Sequence, residues 1–215
     1  MAHVAPKSES NYKTLPAGVY PARCYGIAQL GTQEEEFDKK IKRLFKIVLF
    51  FEFPTQKEVF KEGKGEEPYT LTKEFTFSMY ESAGLRLFIE KWAGKKMTAE
   101  QAEGYDVGKM LGKICQISVV EYNKRAGGTG SKIDAVMPLM AGTIVDPQIN
   151  KTIDFSLTDE TLDTATFDTL PKWVQDKAKL SPEYQKLIGN EPEPEFKGYA
   201  GPNQPAPVES EDLPF

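Results

Sequence analysis

At 215 residues and 40% hydrophobic, the chain can bury an ordinary core and is long enough for one medium domain with extensions or for two small ones. No apolar run approaches the ~18 residues of a membrane span and no signal-peptide pattern opens the chain, which predicts a soluble, cytoplasmic protein without membrane attachment. The formal net charge of −5 is unevenly spread: Glu191 to Phe215 holds six acids and one base, so the first 190 residues carry 26 charges of each sign and are neutral. Such a body can hold a local basic groove, although it lacks the strongly basic balance of many nucleic-acid-binding domains.

In chain order, residues 1–14 are polar and predict a flexible arm. His3, the single histidine, lies in that arm, which argues against a His-based triad and a Cys/His zinc site, and no cofactor is expected. Leu15-Pro16-Ala17-Gly18 reads as a turn into a first strand, VYPARCYGIAQLG, with Arg23 and Tyr25 in one phase and Ala22, Cys24, Ala28 and Leu30 in the other. Glu34 to Lys40 is charged and reads as an exposed connection.

The second strand, Ile41 to Phe53, offers two surfaces, because successive strand side chains point to opposite faces. Phe45, Ile47, Leu49, Phe51 and Phe53 are apolar without interruption and predict a core face. The other phase, Lys42, Leu44, Lys46, Val48, Phe50 and Glu52, mixes cations with apolar and aromatic groups. That mixture suits an outer face that stacks bases on rings and pairs phosphates with cations. It equally suits a half-buried strand whose outer apolar residues lie under a loop or helix.

Lys57 to Pro68 predicts a long solvated loop, and YTLTKEFTFSMY a third strand with Leu71, Phe75, Phe77 and Met79 in one phase. Leu85, Phe88, Ile89 and Trp92 then fall at i, i+3, i+4, i+7, the stripe of an amphipathic helix with Ser82 as its predicted N-cap. Trp92 on that stripe reads as core. A short helical piece is expected over Thr98 to Glu103, followed by a fourth strand, KICQISVVEYNK, with Cys115, Ile117 and Val119 inward and Gln116, Val120 and Tyr122 outward. Cys24 and Cys115, outside any C-x-x-C pair, read as reduced core thiols. The loop Lys124 to Lys132 leads to a fifth strand, IDAVMPLM. It is not a phosphate-binding P-loop: its glycine spacing is wrong, Ser131 precedes Lys132, and a strand follows.

Three strands, a helix and two strands is the order of an OB-fold, a five-stranded Greek-key barrel that binds oligonucleotides on strands two and three between two loops. The predicted architecture is therefore mainly β: an OB-fold over 15–142, an accessory helical segment over 143–189, and a disordered acidic tail over 190–215 that is rich in Pro and Gly. An SH3-like barrel or small sandwich would give similar runs. Bases would stack on Tyr25, Phe50 or Tyr122, while Arg23, Lys42, Lys46, Lys124, Arg125 and Lys132 meet phosphates.

The final residues, Glu209-Ser210-Glu211-Asp212-Leu213-Pro214-Phe215, resemble the C-terminal tip of bacterial single-stranded DNA-binding proteins, in which acids precede an apolar residue, Pro and Phe. Leu213 stands where that family usually has Ile, and the acidic run is shorter. With the opening PAGVYPARCYGIAQLGT, the chain is similar to the larger, divergent single-stranded DNA-binding proteins encoded by bacteriophages, some of which hold zinc through ligands that this chain lacks. The resemblance implies a non-enzymatic protein in the cytoplasm of a bacterial host. It would protect single-stranded DNA during replication, recombination or repair, and recruit replication or repair proteins through Glu211, Asp212, Leu213, Pro214 and Phe215. Two other classes stay open: a metal-dependent nuclease or recombination enzyme, whose densest acidic cluster would be Glu34-Glu35-Glu36-Asp38, and an adaptor or structural protein that does not bind DNA.

Overall fold

A computed structural model describes residues 13–190, apart from Ala126 and the side chain of Phe37. The predicted tail after Asn190, with its partner-binding residues Glu211, Asp212, Leu213, Pro214 and Phe215, lies outside the described residues, as does most of the predicted arm.

The protein is mainly β. Strands β1 (Gly18–Phe37), β2 (Lys40–Glu58), β3 (Glu67–Thr76), β4 (Ile114–Asn123) and β5 (Thr129–Met137) form an antiparallel sheet in the spatial order β3-β2-β1-β4-β5. A sixth strand, β6 (Ile153–Phe155), pairs in parallel with Gly26 to Ala28 of β1. Helix α1 (Gly84–Ala93), the single turn α2 (Ala99–Ala102) and a 3-10 turn (Val107–Met110) lie between β3 and β4. Three short helices follow β6: α3 (Thr164–Thr169), α4 (Lys172–Lys179) and α5 (Pro182–Leu187).

Two cores lie on opposite faces of β1 and β2. The first holds Ile47, Leu49, Phe51 and Phe53 of β2 with Ala22, Cys24, Cys115 and Ile117, closed by the α1 stripe Leu85, Phe88, Ile89 and Trp92. Trp92 is fixed there by its indole N–H, which donates to the Ile114 carbonyl at 2.8 Å. The second core packs Tyr25, Ala28 and Leu30 of β1 and Val48 and Phe50 of β2 beneath β6 and helices α3 to α5. The continuous run Ile47 to Phe51 is thus buried on both faces, which its unbroken apolar sequence permits.

The covering segment is held by specific polar contacts. Glu52, fully buried, accepts from the Ile149 and Asn150 backbone N–H groups and from Asn150 Nδ2 at 2.7 to 3.0 Å, so the returning chain supplies the donors that a buried carboxylate needs. Glu183 of α5 accepts from the backbone N–H and hydroxyl of Thr32. Beside it Gly31 has φ +69°, and a Cβ there would lie 2.3 Å from Ser181 Oγ, so any side chain at this position would displace α5.

Several expectations are corrected. Glu34 to Lys40 is no loop: β1 runs to Phe37 and β2 starts at Lys40, turning through Asp38 and Lys39, both at positive φ. Positive φ at both central residues is the geometry of a tight two-residue hairpin turn, here made without glycine. The acidic cluster is consequently divided along a strand, with Glu34 bonded to Arg43 and Glu35 to Lys46, rather than gathered for a metal. The N-cap of α1 is Ala83, not Ser82, and it makes no side-chain cap bond. Much of the segment 124–132 belongs to the β4–β5 hairpin, and Ile153–Phe155, inside the accessory segment expected to be helical, pairs as β6.

Candidate nucleic-acid interface

A groove of about 650 Å³ lies between the β2–β3 hairpin and the β4–β5 hairpin. Its residues come from both hairpin ends and from the chain just before β1. On one side Phe60 and Tyr69 meet edge to face, with centroids 5.0 Å apart and planes at 84°. Phe60 is 44% exposed, a large ring left in water at the end of a charged loop. On the other side Tyr122, 42% exposed, projects from the end of β4, and Lys132 Nζ lies 5.9 Å from its ring centroid. Gly130 makes this wall possible: a Cβ there would stand 2.8 Å from the Tyr122 ring and 2.9 Å from Lys124 Cε, so glycine lets both side chains lie across β5.

The floor includes Tyr25, whose ring leans on Phe50 at 5.9 Å. Burial, and then the nearby Glu52 carboxylate, push the Tyr25 phenol up to about 12, so it stays neutral and can donate a hydrogen bond at any physiological pH. Burial also raises Tyr69. The hairpin walls are tied to the body at two points. Lys13 donates to Glu58 at 2.7 Å, a hydrogen bond that holds the Glu58 carboxyl below its ordinary range, and it also donates to the Val59 carbonyl. Ser131 Oγ donates to the Leu15 carbonyl at 2.5 Å.

Of the residues singled out from sequence, the fold brings Tyr25, Tyr122 and Lys124 into this groove, with Lys132 against Tyr122 and Arg125 exposed in the adjoining β4–β5 turn. Four others lie elsewhere. Phe50 is 1% exposed in the second core, so the face predicted to stack bases is instead packed under the covering segment. Lys46 is buried on that same face, with its ammonium 2.9 Å from Glu35, because the neighbouring strand supplies the opposite charge. Arg23 donates to the Gly112 and Asp146 carbonyls and so joins two loops to β1. Lys42 stands on the exposed far part of the β1–β2 hairpin, opposite Glu35.

Sequence reasoning missed Phe60, Tyr69 and Lys13. A signal for Phe60 was present, since an aromatic ring inside a run of charges and glycines has no core to enter. Lys13 carried none, because its position depends on a pairing with Glu58 across 45 residues.

A second concavity, larger at about 1060 Å³, opens at the opposite end of β4 and β5, beside α1 and the 3-10 turn. Among the described residues no helix is long and apolar enough to cross a membrane. Comparison of the chain with protein-family models and with curated proteins finds no match.

Proposed function

We propose that the protein binds single-stranded DNA without sequence preference, along the groove between the β2–β3 and β4–β5 hairpins. The observation that carries this reading is the placing of exposed rings on both walls, Phe60 on one and Tyr122 on the other, with the cations Lys132, Lys124 and Arg125 beside Tyr122. Every base has a π-face, so stacking on such rings tolerates any sequence, and the cations track the phosphates. Lys132 lies over the Tyr122 ring and brings a cation to the ring that would stack on a base.

The strand order supports an OB-fold reading. With α1 between β3 and β4 and the order β3-β2-β1-β4-β5, a barrel would close by bringing β3 to β5. Those two strands do approach: Lys73 of β3 donates to the Ile133 carbonyl of β5 at 2.9 Å. In this reading the covering segment occupies the outer face of strands one and two, and the nucleic acid is displaced toward the hairpin ends. The acidic tail, similar in residues 209–215 to the tip of bacterial single-stranded DNA-binding proteins, would recruit replication or repair proteins.

The test is a salt titration of labelled oligo-dT against a duplex of equal length. Preference for the single strand, with affinity falling as salt rises, is the expected result. Equal affinity for the duplex, or no binding at low salt, would remove the proposal and favour an adaptor role.

A further inference from the structure

The 1060 Å³ concavity is walled by Trp92, Met97, Met110, Ile114 and Pro138, and three lysines, Lys95, Lys109 and Lys113, line it as well. Among the described residues no acid lines it. At about 1060 Å³ it is slightly larger than the roughly 300 to 1,000 Å³ of ordinary ligand pockets, and it is an open hollow, a size and shape that suit several side chains of a peptide. Its wall is rigid where it matters, since the Trp92 indole is bonded to Ile114. An apolar hollow whose only charged residues are cations selects a ligand with an apolar end preceded by acids.

The chain carries such a segment. Residues 209–215 read Glu-Ser-Glu-Asp-Leu-Pro-Phe, three acids followed by two apolar side chains around a proline. We infer that this segment of the same chain docks in the concavity, with Leu213 and Phe215 against Trp92 and Met97 and with Glu209, Glu211 and Asp212 facing Lys95, Lys109 and Lys113. Reach permits it. The 23 residues from Asn190 to Leu213 span up to roughly 75 Å, against a radius of gyration of about 16 Å for a body of this size. The inference does not depend on DNA binding. Ile114 and Tyr122 lie eight residues apart on β4, about 26 Å along the strand, so the concavity and the groove are separate sites.

The experiment uses the full chain with its methionines labelled at the methyl carbon and followed by NMR. Met97 and Met110 line the concavity, while Met79, which does not line it, serves as the control. Changing Leu213→Ser and Phe215→Ser together is expected to shift the Met97 and Met110 methyl resonances and leave that of Met79 in place. Full-length Lys109→Glu with Lys113→Glu should give the same two shifts, and raised salt should weaken the difference between wild type and this variant. The shifts of the wild type should persist on dilution. Unmoved Met97 and Met110 resonances overturn the inference. So do wild-type shifts that vanish on dilution, which would assign the docked segment to a second copy, and tail variants that leave both resonances in place while raising oligo-dT affinity, which would place the tail in the groove.

Discussion

Phe50→Ala separates a fixed cover on β1 and β2 from a removable one. The ring is 1% exposed, packed against Tyr25 and beneath the segment that carries β6 and α3 to α5. Truncating a buried phenylalanine loses the transfer energy of the ring and leaves a partly uncollapsed cavity, together about 3 to 5 kcal/mol. The backbone of β1 is close beside it, since a Cβ at Gly26 would stand 3.1 Å from a Phe50 ring carbon, so little collapse can offset the loss. At 1.4 kcal/mol per tenfold, the folding equilibrium should move by roughly 2 to 3.5 powers of ten. Urea denaturation of wild type and variant, monitored by circular dichroism, measures this shift. Oligo-dT titration below the transition measures binding of the folded fraction, which should stay within about twofold of wild type, because Phe50 does not reach the groove. A stability loss under about 1 kcal/mol with a large binding loss would refute the reasoning: the covering segment would then lift away and Phe50 would be a stacking ring.

The remaining predictions concern the groove and the core. Tyr122→Ala should cost roughly 1 to 3 kcal/mol in oligo-dT affinity while leaving the urea midpoint unmoved, and a shifted midpoint would show Tyr122 to be structural. Arg125→Ala and Lys132→Ala should each lower the slope of log affinity against log salt by about 0.7, whereas Lys46→Ala, whose partner is Glu35, should leave it unchanged. Phe60→Ala should weaken single-strand binding without altering duplex affinity. Burial pushes the Cys24 thiol up to about 12 and Cys115 upward as well, so neither should react with a thiol reagent at pH 8 until denaturant is added, and fast labelling of the native protein would contradict the packing of β1 against β4.

Local periodicity carried the parts of the fold that each element decides for itself. The Leu85, Phe88, Ile89, Trp92 stripe and the Ile47, Leu49, Phe51, Phe53 phase could be read directly, and both lie in the first core. The second core could not, because its cover comes from three short helices and a three-residue strand whose apolar residues do not say which face they will meet. A buried Lys46 or Glu52 is legible only once Glu35 or Asn150 has been placed beside it. The same reason governs the groove. Tyr122 and Lys124 stand at a hairpin visible in the sequence, but Phe60, Tyr69 and Lys13 join them through contacts between distant segments. Glu34 to Lys40 misled for a different reason: charged residues at nearly every position conceal a strand whose two faces are both wet.

That charged ribbon has a consequence for self-association. β4 pairs with β1 only from Gly18 to Arg23, and β3 pairs with β2 from Lys46 onward, so among the described residues the outer part of the β1–β2 hairpin has no further strand on either side. Unpaired backbone N–H and C=O groups on a two-stranded ribbon are a template for adding a strand from another molecule. Here an incoming strand would meet Glu34, Glu35 and Glu36 along one edge and Lys40, Lys42 and Arg43 along the other. Docking of like upon like in parallel register would set carboxylates against carboxylates. Two β2 edges would likewise set cations against cations beside Ile41, 70% exposed, and Leu44, so the charges that obscure the strand in the sequence oppose the pairing of like edges and favour only an acidic edge meeting a basic one.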